Sequence, residues 1–285
     1  MTNLSTSQLE PNDTNNSPDS YLTDDSSSEN AISPNDLAKW CNEYLHIDNF
    51  KDYCPNGLQV DADQPIRHIV TGVTACEALI DQAIELKADA ILVHHGYFWK
   101  GEDPELVGMK GRRVRKLMQH GISLLAYHLP LDAHPKLGNN AILARDLGLK
   151  IIGALYPEES HPVGNITTCE PITAQQLQSK LATLLGREPL WIAGYSQATA
   201  KPLQKIALCT GGAQDMIDQA AKMGCDAYIS GEISERTTHS ARELQVDYFA
   251  CGHHATERGG IDALGKLVET ELGIKTTFID IDNPA

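Results

Sequence analysis

Hydrophobic residues form two kinds of run along most of the chain, and the two kinds alternate. Runs such as "IRHIVTGVTA" and "DAILVHH" are short and mostly apolar, as in strands of a sheet that is buried on both faces. Between them, "CEALIDQAIELKA" spaces its apolar residues three and four positions apart, which predicts a helix. The alternation covers residues 66–149 and resumes over 205–282. It predicts an α/β fold with mainly parallel sheets covered by helices.

The two alternating regions also resemble each other. Residues 69–95 align with residues 206–232 at one constant offset, and both segments contain the sequence Ile-Asp-Gln-Ala. A shared offset favours an internal duplication over chance. We therefore predict two related α/β domains, 35–150 and 151–285, with the last segment able to pack back onto the first domain.

The first 34 residues differ from the rest in composition. They are rich in Ser, Asn, Asp and Thr, and they contain six carboxylates but neither Lys nor Arg. This composition predicts a disordered acidic tail over 1–34. The tail lacks the apolar centre of a secretory signal and the basic bias of an organelle transit peptide. Since the chain also lacks an apolar run of ~20 residues, the sequence predicts a cytoplasmic protein without a membrane span.

The charge balance restricts the class of partner. The net charge is −15, and −9 remains when the tail is set aside. Such an acidic protein is not expected to have an extended nucleic-acid-binding face, and a small molecule is the expected partner. The seven cysteines form no C-x-x-C pair, and several lie in apolar strand-like runs. They are interpreted as reduced thiols rather than as metal ligands or disulfides.

Histidines and carboxylates cluster where the predicted strands end. His94 and His95 end one strand, and the duplication aligns His95 with Glu232. In an open α/β sheet, ligands bind outside the carboxyl ends of the strands. Two further strand ends offer metal-capable side chains, namely His128, Asp132 and His134 in the first half and His253, His254 and Glu257 in the second.

A single histidine at such a position is usually packed or hydrogen-bonded, but four clusters at equivalent positions favour a metal site. Nitrogen and carboxylate ligands together suit Zn, Fe, Mn, Co or Ni better than Ca. Five or more ligands exceed what one tetrahedral zinc requires. The pattern therefore favours two divalent transition-metal ions per subunit.

Five motifs in order resemble the family of GTP cyclohydrolase I type 2 homologues, also called Nif-three-like dinuclear metal centre proteins. The match runs from about Asp36 to Ile281 through "DYCPNGLQV", "VHHGYFWKGE", "YHLPLDAHPKLGNNAILA", "SGEISERTTHSARE" and "GHHATERGG". The resemblance implies a toroidal homohexamer, with two metals in a cleft between the two domains of each subunit. It also implies five metal ligands, which are His94, His95, Asp132, His253 and Glu257. His254 is then a neighbouring residue and not a ligand.

The same resemblance implies a hydrolase. A pair of metals lowers the pKa of water and stabilises charge on the attacked group. The expected reactions are opening of the guanine imidazole ring of GTP or hydrolysis of a phosphoester. His128 is a candidate proton carrier or positioning residue, and Glu232 is a second candidate catalytic residue. A metal-delivery protein with little turnover remains as an alternative, because the sequence has no clear phosphate loop or base-reading pocket. A regulatory scaffold is a further alternative, which the name of the family suggests.

Substrate contacts are less clearly defined by the sequence. Tyr97 and Trp99 are candidates for stacking on a base. Candidates for phosphate contact are Lys100, Arg112 and Arg113. Core packing or a solvated helix face accounts for these residues at least equally well.

Overall fold

The computed structural model describes residues 30–194 and 201–285, which contain eleven strands and nine α-helices. The strands are β1 (Gly57–Val60), β2 (His68–Thr74), β3 (Ala90–His95), β4 (Ser123–Ala126), β5 (Lys150–Ala154), β6 (Asn165–Ile172), β7 (Leu190–Ile192), β8 (Leu203–Cys209), β9 (Ala227–Ser230), β10 (Asp247–Ala250) and β11 (Lys275–Phe278). The helices are α1 (Pro34–Leu45), α2 (Glu77–Glu85), α3 (Gly108–Gln119), α4 (Leu129–Asp132), α5 (Asn139–Asp146), α6 (Ala174–Leu185), α7 (Ile217–Lys222), α8 (Glu235–Leu244) and α9 (His253–Leu272).

Residues 1–29 of the predicted acidic tail lie outside the described residues. From Asn30 onward the chain is part of the fold. Ile32 forms a β-bridge with Ile66, and the Ser33 side chain accepts the backbone N–H of Asp36 at the start of α1. Pro34 occupies the first turn of that helix, where a missing N–H costs nothing.

The first sheet has the strand order β1-β4-β3-β2-β11. Strands β4, β3, β2 and β11 are parallel, and β1 is antiparallel to β4. The apolar runs that predicted β2 and β3 are buried along nearly their whole length, because α1 and α9 cover one face of the sheet and α2 and α3 cover the other.

The second sheet has the order β5-β6-β8-β9-β10-β7. Its centre, β8-β9-β10, is parallel, and antiparallel strands flank it on both sides. Leucines of α5 and α6 pack on one face, while α7 and α8 cover the other. The predicted α/β fold with two sheets and covering helices is confirmed.

The duplicated segments fold in the same way. The unit β2-α2-β3 corresponds to β8-α7-β9, and one pair of hydrogen bonds recurs in both. Asp89 and Asp226 hold equivalent positions before the second strand of each unit. Each carboxylate accepts two backbone N–H groups at 2.8 to 3.0 Å, from Arg67 and His68 at Asp89 and from Gln204 and Lys205 at Asp226.

Helix α9 connects the two sheets. It begins where β10 ends in the second sheet, and it packs along β2, β3 and β11 of the first sheet. The final strand β11 then pairs with β2. The last strand of the segment 151–285 therefore belongs to the first sheet.

The mostly apolar run "SLLAYHLPLD" also predicts a strand, and this prediction was wrong at its end. The run "SLLAYHLPLD" is not one strand, because β4 ends at Ala126 and α4 begins at Leu129. Pro130 cannot donate to a sheet ladder but fits the first turn of a helix. His128 thus precedes a helical turn and Asp132 lies on it. The last long helix begins at His253.

Candidate metal centre

His94 lies in a fully buried position at the carboxyl end of β3. Its Nδ1 lies 2.8 Å from the carbonyl oxygen of Tyr127. A carbonyl can only accept, so Nδ1 carries the proton of this bond. Nε2 faces two carboxylates, with Asp132 Oδ2 at 3.5 Å and Glu257 Oε1 at 3.6 Å. A backbone carbonyl behind one ring nitrogen is the usual arrangement of a histidine that ligates metal through the other.

His95 and His253 approach the opposite oxygen of the same glutamate. His95 Nε2 lies 3.2 Å from Glu257 Oε2, and His253 Nε2 lies 3.1 Å from it. Partners behind the rings orient both histidines. Thr74 Oγ1 lies 3.2 Å from His95 Nδ1, and Glu232 Oε1 lies 2.7 Å from His253 Nδ1.

The five predicted ligands form two groups that share one carboxylate. One group is His94, Asp132 and Glu257, and the other is His95, His253 and Glu257. Within each group the donor atoms lie within 4.8 Å of one another. Two nitrogen and carboxylate groups joined through a common glutamate are a geometry suited to a pair of transition-metal ions.

Glu257 also provides a test of whether these residues suit a cation. Its Oε2 is buried and has no hydrogen-bond partner among the described residues, although two imidazole nitrogens lie close to it. A buried carboxylate oxygen without a partner is costly. A divalent cation between the carboxylate and the imidazoles would satisfy it, so the residues fit the predicted metals.

The carboxylates and imidazoles control one another's ionisation. Burial opposes protonation of His94, but the carboxylates of Asp132 and Glu257 outweigh it and raise its pKa to about 9. For His253, burial is likewise outweighed by neighbouring carboxylates, which raise its pKa to about 9. Burial and the neighbouring His94 lower the pKa of His95 to about 3. Burial alone would raise the pKa of Glu257, but the imidazoles hold it well below its ordinary value.

Asp132 is held in place by an amide that the sequence analysis did not identify. Asn139 Nδ2 donates to Asp132 Oδ1 at 2.8 Å, and Asn139 Oδ1 accepts the backbone N–H of Gly260 at 2.8 Å. The buried amide therefore joins α4 to α9, the two helices that carry the candidate carboxylate ligands. Asparagine is common in turns and helix starts, so the sequence offered no sign of this role.

His128 forms a separate pair with Asp52. Its Nδ1 lies 2.7 Å from Asp52 Oδ1, and Asp52 Oδ2 accepts the backbone N–H of Leu129 and an N–H of Asn56, both at 2.9 Å. Burial would raise the pKa of Asp52, but the bonds from His128 and Asn56 lower it below its ordinary value. The sequence analysis missed this role of Asp52, although the residue opens the quoted motif "DYCPN".

Glu232, the second predicted catalytic residue, lies beside His253. Its side chain is half exposed, and its hydrogen bond to His253 Nδ1 orients the imidazole. Among the described residues that line the neighbouring cleft, Glu232 is absent. This geometry favours a positioning contact over direct contact with a substrate, and the catalytic role stays a prediction.

A cleft of about 1330 Å³ opens beside the two donor groups. Its walls come from both domains, with Trp99 and His128 on one side and Tyr156 and Thr210 on the other. His95, Asp132, His253 and Glu257 also line it. A ligand in the cleft would therefore contact the candidate metal centre directly.

Of the five residues predicted as substrate contacts, one lines the cleft and four do not. Trp99 lines the cleft. Tyr97 is buried, and its hydroxyl donates to the carbonyl of Ala75 at 2.8 Å, so it packs in the core. Lys100, Arg112 and Arg113 do not appear among the described residues that line the cleft.

The remaining sequence predictions concern thiols and membranes. All seven cysteines are free, and five of them are buried. The described part of the chain contains no helix that is long and apolar enough to cross a membrane.

Comparison with known proteins places the chain among a group of relatives. The sequence profile of the family described as Duf34/NIF3 (NGG1p interacting factor 3) matches residues 32–284. A "GTP cyclohydrolase 1 type 2 homolog" of Vibrio cholerae is 54% identical over 245 residues, which cover 85% of this chain and 96% of that protein. The homologue of the same name in Pseudomonas aeruginosa is 49% identical over 256 residues, covering 90% of this chain and 100% of that protein.

Solved structures share the fold. The protein ybgI, described as having unknown function, is 47% identical with a TM-score of 0.84 and covers 89% of this chain and 100% of its own. TTHA1606 from Thermus thermophilus is 31% identical with a TM-score of 0.80, over 89% of this chain and 100% of its own.

Proposed function

The chain belongs to the Duf34/NIF3 family, and on this premise we propose that it is a metal-dependent hydrolase of a nucleotide or related heterocycle. The observation that carries the proposal is the pair of donor groups that share Glu257 at the wall of an open cleft. The name of its relatives, GTP cyclohydrolase 1 type 2 homolog, agrees with hydrolysis of a heterocycle.

Five side chains would hold two divalent transition-metal ions, which could be Zn, Fe, Mn, Co or Ni. His94 and Asp132 would hold one ion, His95 and His253 the other, and Glu257 would contact both. When bound, such ions lower the pKa of water toward ~7 and stabilise negative charge on the attacked group.

The other residues of the site would orient groups and move protons. Asp52 fixes the His128 ring through Nδ1, so that Nε2 is free to accept or deliver a proton in the cleft. His128 lies close to the metal centre, with ring centroids 5.2 Å from His94 and 5.7 Å from His95. Glu232 would hold His253 in the orientation that a ligand needs.

Assembly and location belong to the same proposal. We expect a toroidal homohexamer in the cytoplasm, on the grounds of the family motifs and of the seven free thiols, which suit a reducing compartment. Light scattering on the purified protein would measure the mass of the assembly. A monomer at micromolar concentration would contradict the hexamer.

Turnover by the metal-loaded protein tests the proposed reaction. GTP and a panel of phosphoesters are incubated with the wild-type protein and with His95→Ala, which should lose metal and stay folded because His95 lines a cleft. Turnover that requires metal and disappears in the variant supports the hydrolase. Two metals per chain with no turnover on any substrate would favour metal delivery or a regulatory scaffold. A partner protein that binds Asp132→Ala as well as it binds the wild type in a pull-down would favour the scaffold.

A further inference from the structure

The cleft beside the metal centre has few positive charges. Lys51 is the one lysine or arginine among the described residues that line it, and Glu159 adds a negative charge to the wall. The segments that the structure does not describe, 1–29 and 195–200, contain neither lysine nor arginine. Polyphosphates are normally bound by several such side chains. This chain therefore offers a triphosphate little compensation for its charge.

The metal centre itself could attract only a limited negative charge. Two divalent ions would bring four positive charges, and the carboxylates of Asp132 and Glu257 neutralise two of them. The remainder suits one small anionic group or a polar atom of a neutral ligand. The remaining positive charge of the centre is too small for a nucleoside triphosphate. Most of the negative charge of the triphosphate would have to lie away from the ions.

The cleft walls are instead rich in flat rings. Trp99 packs edge-on against His128 at 5.0 Å between ring centroids, and Tyr53 packs against the same ring at 6.4 Å. Phe50 and His161 form a further pair at 5.3 Å. All five residues line the cleft. Flat, weakly charged walls of this kind favour aromatic ligands, which gain from stacking irrespective of their hydrogen-bonding pattern.

Trp99 is held in its position at the expense of backbone strain. The preceding residue, Phe98, has a φ of 65°, which is unfavourable for a bulky side chain. The Glu102 carboxylate stabilises this turn by accepting the backbone N–H groups of Phe98 and Trp99 at 3.0 and 3.2 Å. The indole N–H donates to the carbonyl of Gly96. The turn therefore fixes an indole whose only polar group is already bonded, so that in the cleft it can offer a ligand ring contacts but no hydrogen bond.

We infer that the cleft binds a planar aromatic ring with at most one anionic group, stacked on Trp99 beside the metal centre, and that a nucleoside triphosphate is not its ligand. The inference rests on the proposed function and names the substrate class for that site. Lys51 and the metal centre can accommodate one anionic group, while Trp99, Tyr53 and His128 provide the ring contacts.

Calorimetric titration of the metal-loaded protein tests the inference without requiring turnover. Inosine and inosine triphosphate share one ring and differ in charge, and cytidine and pterin extend the panel of uncharged rings. We expect an uncharged ring to bind more tightly than the triphosphate, with little dependence on salt. Tighter binding of the triphosphate that weakens with salt would overturn the inference, as would the absence of saturable binding by every uncharged ring.

Variants test the contact with Trp99. Trp99→Leu should weaken binding of the ring by about 5- to 150-fold, the range expected for loss of one stacking contact, while Trp99→Phe should retain most of it. Trp40→Leu, which changes a half-buried tryptophan outside the cleft, is the matched control. Unchanged binding by Trp99→Leu would contradict the stacking role. If the ring binds but no hydrolysis is found, the proposed hydrolase activity is contradicted and the inferred ring binding is not.

Discussion

At the scale of single residues, one carboxylate has the largest effect on the candidate metal centre. Glu257 is 3% exposed, and its two oxygens face different histidines. It lies in the second turn of α9, which begins at His253. Loss of this carboxylate would remove a ligand from both donor groups at once.

Asp52 is a second single residue with a large expected effect, because it orients the ring of His128. In Asp52→Asn, an amide N–H can replace the carboxylate next to His128 Nδ1 and so favour the wrong tautomer of the ring. We expect turnover to fall by about 10- to 100-fold, as for other contacts behind a reactive histidine, with an altered pH profile and unchanged metal content. Steady-state kinetics and elemental analysis would measure both. Asp63→Asn, in an exposed loop, is the control, and turnover equal to wild type would contradict the positioning role.

The clustering of the five candidate ligands could be predicted from the sequence, whereas the residues that support them could not. His94 and His95 follow an apolar strand, and strand ends of an α/β sheet converge on one crevice. Asp52 and Asn139 belong to no such pattern. Asp52 precedes His128 by 76 positions, so only the tertiary fold brings the two together.

At the scale of elements, the duplicated β-α-β unit depends on its repeated aspartate. Burial would raise the pKa of Asp226, but the ion pair with Lys201 and the two backbone N–H groups lower it below the ordinary value. Its contribution to stability is therefore fully present above the unfolded pKa of about 4 and is lost as the pH falls through the lower folded pKa.

Asp226→Asn should accordingly destabilise the protein most at neutral pH. We expect the free energy of unfolding to fall by about 1 to 3 kcal/mol, because an amide oxygen accepts the two backbone N–H groups without the help of a negative charge and an amide N–H cannot pair with Lys201. The difference between wild type and variant should shrink toward pH ~2, because the wild-type carboxylate is then protonated. Denaturant titrations at several pH values measure it. A difference that does not change with pH would show that the charge is irrelevant.

Close backbone packing at the end of β9 positions one of the ligands. A Cβ added at Gly231 would lie 2.6 Å from the carbonyl oxygen of Gly211 and 2.7 Å from the Cα of His253. Gly231→Ala should therefore displace His253, destabilise the fold by about 1 to 3 kcal/mol and weaken metal binding. Gly153→Ala, where a Cβ meets nothing within 4 Å, is the control. Equal metal affinity in the two variants would contradict this account.

Element types were more predictable than their ends. The spacing of apolar residues predicted α2, because its buried face follows the helical period. The end of β4 was harder to predict, because the apolar residues around Pro130 favour a strand while the proline cannot donate a hydrogen bond to a sheet. The antiparallel strands at the edges of the second sheet depend on long-range pairing, which local sequence does not specify.

At the scale of the whole molecule, α9 joins the two sheets beside the cleft and carries two of the five candidate ligands. His253 and Glu257 lie in its first turns beside the second sheet, and the rest of the helix packs on the first sheet beneath His94 and His95. The geometry of the metal centre therefore depends on both domains keeping their relative position.

Metal binding should release protons from the metal-free protein. The pKa values of His94 and His253 are about 9, so both imidazoles are protonated at neutral pH. A metal needs the Nε2 lone pair and must displace these protons. Affinity should therefore increase between about pH 6 and 8, with proton release visible as a dependence of binding enthalpy on the buffer. Affinity that is constant over this range would contradict the assigned ligands.

The number of metal ions per chain is the most direct test of the shared-carboxylate centre. Native mass spectrometry of folded, metal-titrated protein would count the ions in the wild type, in Asp132→Ala and in Glu257→Gln. We predict two ions for the wild type, one for Asp132→Ala, and fewer than one for Glu257→Gln, because only Glu257 belongs to both donor groups. Two ions in Glu257→Gln, or a single ion in the wild type at saturation, would contradict the dinuclear site.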